Sequence, residues 1–223
     1  MRVWVLGLVA ACYTSSSSPS PPGTPPPRTP RPRCPPESEL RVDANYEQCL
    51  HRTTHRPHGI TIIRDDKGRP QTETTWRDGI QDGVQRLYWP QGGRAVEGHW
   101  QAGARAGTWR YYYQAGTPSH EIDFANGQEV AHRAWDERGR RRTLPELGTS
   151  TCTTDADCTI GFAARDCCPP ENSCGIVLSR AVQQRFDERC AGLYCGPPQA
   201  SSSCMGMIGL KAVCDRGMCV GQH

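Results

Sequence analysis

Thirteen cysteines in 223 residues are the side chains with most chemistry to offer, since a thiol can serve as nucleophile, metal ligand or disulfide partner. Ten of them crowd into the last third: Cys152, Cys158, Cys167, Cys168, Cys174, Cys190, Cys195, Cys204, Cys214 and Cys219. Cys34 and Cys49 stand earlier and Cys12 near the start, with none between Cys49 and Cys152. A structural zinc site favours Cys-x₂-Cys pairs, and the chain has none; its close spacings leave four or five residues between cysteines. Apart from Cys12, the remaining twelve form an even set, which predicts disulfides rather than metal. The simplest partition is one bridge, Cys34–Cys49, and five inside the C-terminal segment. Cys167 and Cys168 are adjacent and would strain to pair with each other, so each reaches a different partner. The other pairings stay open at the level of sequence.

Other reactive constellations are weaker. His51, His55 and His58 would align as metal ligands on a helix, but the Thr-, Arg- and Pro-rich surroundings predict a solvated loop. Asp155 and Asp157 offer two carboxylates for calcium, and a solvated turn is the plainer reading. Nucleophile elbow, phosphate loop and His-Glu-x-x-His are all lacking, and every cysteine after Cys12 has a structural partner to hand. The chain therefore reads as non-enzymatic, with no catalytic residue, metal or cofactor expected. A net charge of +3 is too mild to imply a nucleic-acid partner. Hydrophobic residues at 36% and a mean hydropathy of −0.66 leave too little apolar content for a large α/β core.

The elements that present these residues begin with a short leader. Arg2 precedes an apolar run, Val3 to Ala11, which ends in small residues: a secretory layout, too short for the roughly 20 residues of a membrane span. Val9-Ala10-Ala11-Cys12 resembles the lipobox of bacterial lipoproteins. That resemblance implies cleavage before Cys12, acylation of Cys12 as a membrane anchor, and, with Tyr13 in place of Asp, an outer-membrane destination in the cell envelope. Residues 1–11 are then the signal peptide and 12–36 a Ser/Pro-rich tether, whose composition favours extended polyproline II.

Residues 37–146 carry a repeat of 24. Gly59, Gly83 and Gly107 are one column, with Ala131 at the next step. Gly68, Gly92 and Gly116 are a second; Gly79, Gly103 and Gly127 a third; Trp76, Trp100 and Phe124 a fourth; Glu73, Glu97 and Glu121 a fifth. Ile63, Leu87, Tyr111 and Trp135 share one more. Alternating runs separated by X-Gly predict β-hairpins with two-residue turns, joined into one antiparallel meander. In that register Trp109, Tyr111, Tyr113, Leu87, Trp89, Val96, Trp100, Ile122, Phe124 and Trp76 share one face. On the other face Arg86 opposes Glu97 and Arg110 opposes Glu121, each pair adding about 0.2–1 kcal/mol.

Gly107-Thr-Trp-Arg-Tyr-Tyr-Tyr113 and Phe124-Ala-Asn-Gly127 make the segment similar to the MORN repeat family, in the variant known from bacteria as an antitoxin-like repeat. The resemblance spans about His58–Arg140. It implies an elongated single-layer β-meander used for scaffolding, protein contact or membrane association. On the aromatic face, Trp89, Trp109, Tyr111, Tyr113 and Trp135 are the expected binding residues for a protein or glycan partner, unless the Cys-rich module caps the sheet. Residues 147–223 form that module, stapled by bridges because large apolar side chains are few. One helix is expected over Ile176–Arg189, with Leu178, Val182, Phe186 and Cys190 as its stripe. The sum is a mainly β envelope lipoprotein that binds without catalysing. An antitoxin-like regulator that sequesters a toxin and a small secreted Cys-rich inhibitor are the other readings.

Overall fold

The computed structural model describes residues 31–161, 167–168, 175–196 and 209–223. The signal segment, Cys12 and most of the tether lie outside the described residues, as do Cys174 and Cys204. The body is one ten-stranded antiparallel sheet in strict sequence order. Its strands are β1 (Ser38–Asp43), β2 (Tyr46–His51), β3 (Pro57–Arg64), β4 (Pro70–Arg77) and β5 (Ile80–Tyr88), followed by β6 (Arg94–Gln101), β7 (Ala104–Tyr112), β8 (Pro118–Ala125), β9 (Gln128–Trp135) and the short β10 (Arg141–Arg142). The expected mainly β meander is the observed fold, and it begins one hairpin ahead of the repeat.

The X-Gly turns are of two kinds. Asp78-Gly79, Ala102-Gly103 and Asn126-Gly127 are two-residue turns with both residues at positive φ, 51° and 88° in the first. That twist matches the right-handed strands they join. At the opposite end the two-residue expectation is corrected. The backbone bonds Asp65–Arg69, Trp89–Gly93, Tyr113–Thr117 and Asp136–Arg140 each enclose three residues, the third a left-handed glycine. In the first three of these hairpins a bulge follows, leaving Gln71, Ala95 and Ser119 without an opposite number. The bulge cancels the extra loop residue, so Arg86 still faces Glu97 and Arg110 still faces Glu121.

The remaining glycine column marks a second set of bulges. At Gly83 the pairing passes from Thr74–Gln85 to Trp76–Gln81, and near Gly107 from Glu97–Arg110 to His99–Ala106, slips of two residues. An even slip keeps every side chain on its face. Where Ala131 replaces glycine the slip is a single residue, from Asp123–Ala131 to Phe124–Glu129. The last repeat is thereby one residue shorter, and its loop glycine is Gly139 rather than position 140. Ala134, not Trp135, then continues the row of Ile63, Leu87 and Tyr111, and Trp135 turns to the opposite face. The expected placement of Trp135 on the aromatic face is corrected accordingly.

Among the described residues the C-terminal module holds two antiparallel strand pairs, β11 (Cys158–Gly161) with β12 (Ile176–Ser179) and β13 (Lys211–Asp215) with β14 (Met218–Gln222), and one helix, α1 (Arg180–Cys190). The helix starts four residues later than expected, because Ile176–Ser179 pairs with β11 and Ser179 caps the helix by accepting from the Val182 amide at 3.3 Å. Val182 and Phe186 are its buried stripe. Bridges join Cys34 to Cys49, Cys152 to Cys214, Cys158 to Cys219, Cys167 to Cys190 and Cys168 to Cys195, so the adjacent pair does divide between two partners. Such a framework belongs to an extracellular or exported protein. Among the described residues no helix is long and apolar enough to cross a membrane.

Candidate functional surface

A single-layer sheet must cover its apolar face, and here the C-terminal module does so. Leu87, Ala95, Val96, Trp109, Tyr111, Ile122 and Phe124 form one buried cluster with Cys168 of the module, and Leu193 and Tyr194 pack against it. Trp109 is 2% exposed and Tyr111 1%. The Trp109 indole lies across the backbone of Gly98, donates from Nε1 to the His99 carbonyl at 3.1 Å and carries the Arg105 guanidinium 4.7 Å from its ring centre. Arg105 also donates to the Cys168 carbonyl at 3.1 Å, which ties sheet to module. Trp89 stacks on Tyr194 at 4.3 Å, and Tyr113 packs against Gly192 while its hydroxyl donates to the Trp135 carbonyl at 2.9 Å. The open aromatic groove expected from the sequence is therefore corrected at Trp109 and Tyr111, which are interior; Trp89 and Tyr113 sit half-buried at the module's rim.

A buried polar relay reinforces this seam. His120 Nε2 lies 3.0 Å from the Ala191 carbonyl just past α1; a carbonyl can only accept, so Nε2 carries the hydrogen. Its Nδ1 is 2.8 Å from His132 Nε2. Burial pushes the His120 imidazole down to about 4, aided by the neighbouring His132, Arg142 and Arg189 and opposed by the Ala191 bond. With His120 neutral its Nδ1 accepts, and His132 Nε2 donates. On its far side His132 Nδ1 approaches Glu129 at 3.5 Å, and Glu129 bonds Arg189 of α1. Burial opposes ionisation of Glu129, yet the adjacent His132 and the bond to Arg189 hold the carboxyl below the usual range. Arg142 donates to the carbonyls of Ala191 and Glu188 at 2.8 and 2.6 Å, serving acceptors at the helix C-terminus. Nothing in the hairpin pattern marks these residues; they meet because two chain segments dock.

The other weighed clusters have structural partners. His51 ends β2, His55 is in a turn and His58 is in β3, so no helix aligns them. His58 lies between Glu37 at 2.8 Å and Asp78 at 3.0 Å, with the His51 ring edge-on at 5.5 Å. Asp157 caps its own turn: bonds from the Thr153 and Thr154 amides, then hydroxyls, draw its carboxyl down to about 2. Asp155 accepts from the Cys214 amide at 2.8 Å.

What the module leaves uncovered is the other face. Its centre is an alternating ladder, Glu73, Arg86, Glu97, Arg110, Glu121 and Arg133, on successive strands β4 to β9. Arg86 bonds Glu97 at 2.7 Å and Glu73 at 3.4 Å; Arg110 and Arg133 bond Glu121 at 3.2 and 3.3 Å. The expected cross-strand pairs are thus present, extended into a network. Beside the ladder, two residues along each odd strand, stand Tyr88, Tyr112 and Trp135, all half-buried. Tyr88 is pushed up to about 12 by burial and by the neighbouring Glu73 carboxylate, which its hydroxyl meets. Toward β3 the strap Pro32–Pro35, pinned by Cys34–Cys49, lies against Ile60, Ile62, Glu73 and Thr75 around a cleft of about 690 Å³.

No family model matches this chain, and no curated protein does. Among solved structures it is similar to the crystal structure of the GtfA/B complex bound to UDP and GlcNAc, at 11% identity and a TM-score of 0.21, covering 70% of this chain and 27% of that one. A likeness of that strength carries no argument about fold or function.

Proposed function

We propose that this chain is an exported, lipid-anchored, non-catalytic binding protein of the bacterial cell envelope. Cys12 bears the lipid, residues 12–36 hold the domain off the membrane, and the repeat sheet presents the ladder face to a protein or glycan partner. The observation that carries the reading is the asymmetry of the sheet. Its aromatic face is sealed by the disulfide-stapled module, which leaves a charged and partly aromatic face for contact. The buried histidines are engaged in holding the module, and the acidic candidates cap turns, so neither cluster is set up to turn over a substrate. Oxidising maturation supports export, and an even set of twelve cysteines leaves Cys12 over for acylation. Metabolic labelling with an alkyne palmitate tests the anchor. Wild type is expected to label and partition with membranes, and Cys12→Ser to do neither. An unlabelled, soluble wild-type chain with reduced thiols overturns the reading and favours a cytosolic, antitoxin-like role.

A further inference from the structure

The ladder face has a second periodicity. Arg86 and Tyr88, Arg110 and Tyr112, and Arg133 and Trp135 are the same two positions on β5, β7 and β9, each Arg placed by its Glu partners and each aromatic two residues further on. Side chains two apart share a face. Neighbouring strands are about 4.8 Å apart, so the three rings recur at about 10 Å across the sheet, subject to its twist. Exposed Arg94, Pro118 and Arg141 occupy the intervening strands β6, β8 and β10 in the same row. Tyr112 and Trp135 are part-exposed, and among the described residues neither Tyr112 Oη nor Trp135 Nε1 bonds to protein. The row is a line of amphipathic rings flanked by a line of Arg and Glu side chains.

We propose that this row binds a linear, uncharged polysaccharide laid across the strands, with every second sugar ring stacked on Tyr88, Tyr112 and Trp135. The inference deepens the binding-protein reading and rests on it. The spacing of the aromatics is the length of one disaccharide in an extended β-1,4-linked chain. The C–H face of a pyranose suits an aromatic ring, while its hydroxyls need donors and acceptors alongside, which the ladder supplies. Each arginine of the ladder, and Arg94 beside it, is bonded to a ladder carboxylate, so the ladder presents no unpaired row of charge to select a charged polymer. A proline-rich peptide needs open slots between aromatics; Arg94 and Pro118 stand in those slots.

Tryptophan fluorescence and calorimetric titration of the full chain with β-1,4-linked oligosaccharides of glucose and of N-acetylglucosamine, two, four and six sugars long, test the proposal. Affinity is expected to rise at least tenfold from two sugars to six in one series. Trp135→Ala and Tyr112→Ala are each expected to weaken the six-sugar complex about tenfold, with the melting temperature unchanged. Trp89→Ala, on the sealed side, is expected to leave binding intact. Six sugars binding no better than two, or Tyr112→Ala and Trp135→Ala binding as wild type does, overturns the proposal. Saturable binding of a synthetic Pro21–Pro32 peptide in place of the sugars overturns it as well. These titrations need no lipid, so their failure alongside a palmitoylated Cys12 removes the glycan assignment and leaves the anchored binding protein standing.

Discussion

An alanine at position 98 would set its Cβ 2.1 Å from Cδ2 of Trp109, 2.3 Å from Cε2 and 2.5 Å from Cε3. The ring cannot slide aside at small cost, because Trp100 and Phe124 meet it edge-on at 5.4 and 6.1 Å and Arg105 lies over it. Overpacking a rigid ring costs about 1–3 kcal/mol. Moving it also breaks the Nε1 bond to the His99 carbonyl and strands a buried donor, about 1–3 kcal/mol more. Together these give about 2–6 kcal/mol for Gly98→Ala, or about 4–24 °C in Tm at about 2–4 °C per kcal/mol for a domain of this size. Gly92→Ala is the matched control. That residue has φ of 95° with nothing within 4 Å of an added Cβ, so only left-handed strain of about 1–2 kcal/mol applies. Thermal melts followed by near-ultraviolet circular dichroism and tryptophan fluorescence, with disulfides intact, compare the two. Equal melting temperatures would refute the packing of Trp109 on Gly98 and with it the sealed face.

His120 titrates near 6.5 when unfolded and is pushed down to about 4 by burial, so the unfolded chain holds the extra proton between those values. Stability contributed by this site is therefore full above about pH 6.5 and falls by about 3 kcal/mol as pH drops to about 4. Urea unfolding at pH 7.5 and 4.5 should show that slope in wild type and a flatter one in His120→Gln; identical slopes would assign the acid sensitivity elsewhere. Cys152–Cys214 closes a span of 62 residues and Cys34–Cys49 one of 15. Because Cys158–Cys219 already closes nearly the same span, Cys152–Cys214 by itself closes only a remaining loop of about a dozen residues, and chain-entropy estimates put both bonds at about 3 kcal/mol. The Cys152→Ala/Cys214→Ala and Cys34→Ala/Cys49→Ala double variants should therefore lose similar denaturant resistance; a clear difference between them would show that strain or residual structure outweighs loop closure.

Much of the sheet was legible because hairpin chemistry is local. A positive-φ residue pair requires Gly or Asn-like residues at fixed places, and alternation has period two, so turns, strand order and the Arg86–Glu97 and Arg110–Glu121 pairs followed from spacing alone. The loops hold three residues where the X-Gly spacing suggests two, yet the register is kept, because each three-residue loop is offset by a bulge. Trp135 leaves its column for a subtler reason. A fixed period of 24 carries it with Tyr111, but Ala131 in place of a column glycine shortens the last bulge by one residue and turns the strand over. The helix boundary moved because Ile176–Ser179 found a strand partner in β11, a preference that no single segment displays.

The sequence by itself determined the class of the fold, the repeat and its charged columns, the separation of a Cys-rich module from the sheet, and the Cys34–Cys49 bridge. Each of these rests on neighbours along the chain or on counting. Only the tertiary structure decided which aromatic residues are buried and which stay at the surface. Trp109 and Tyr111 have the composition of a binding platform, and burial removes them from that role because residues more than fifty positions later, Cys168, Leu193 and Tyr194, close over them. The same docking brings His120, His132, Glu129 and Arg189 into one buried relay and leaves Tyr88, Tyr112 and Trp135 outside. Docking depends on the mutual fit of two surfaces that are complete only after each has folded, so no window of sequence carries it.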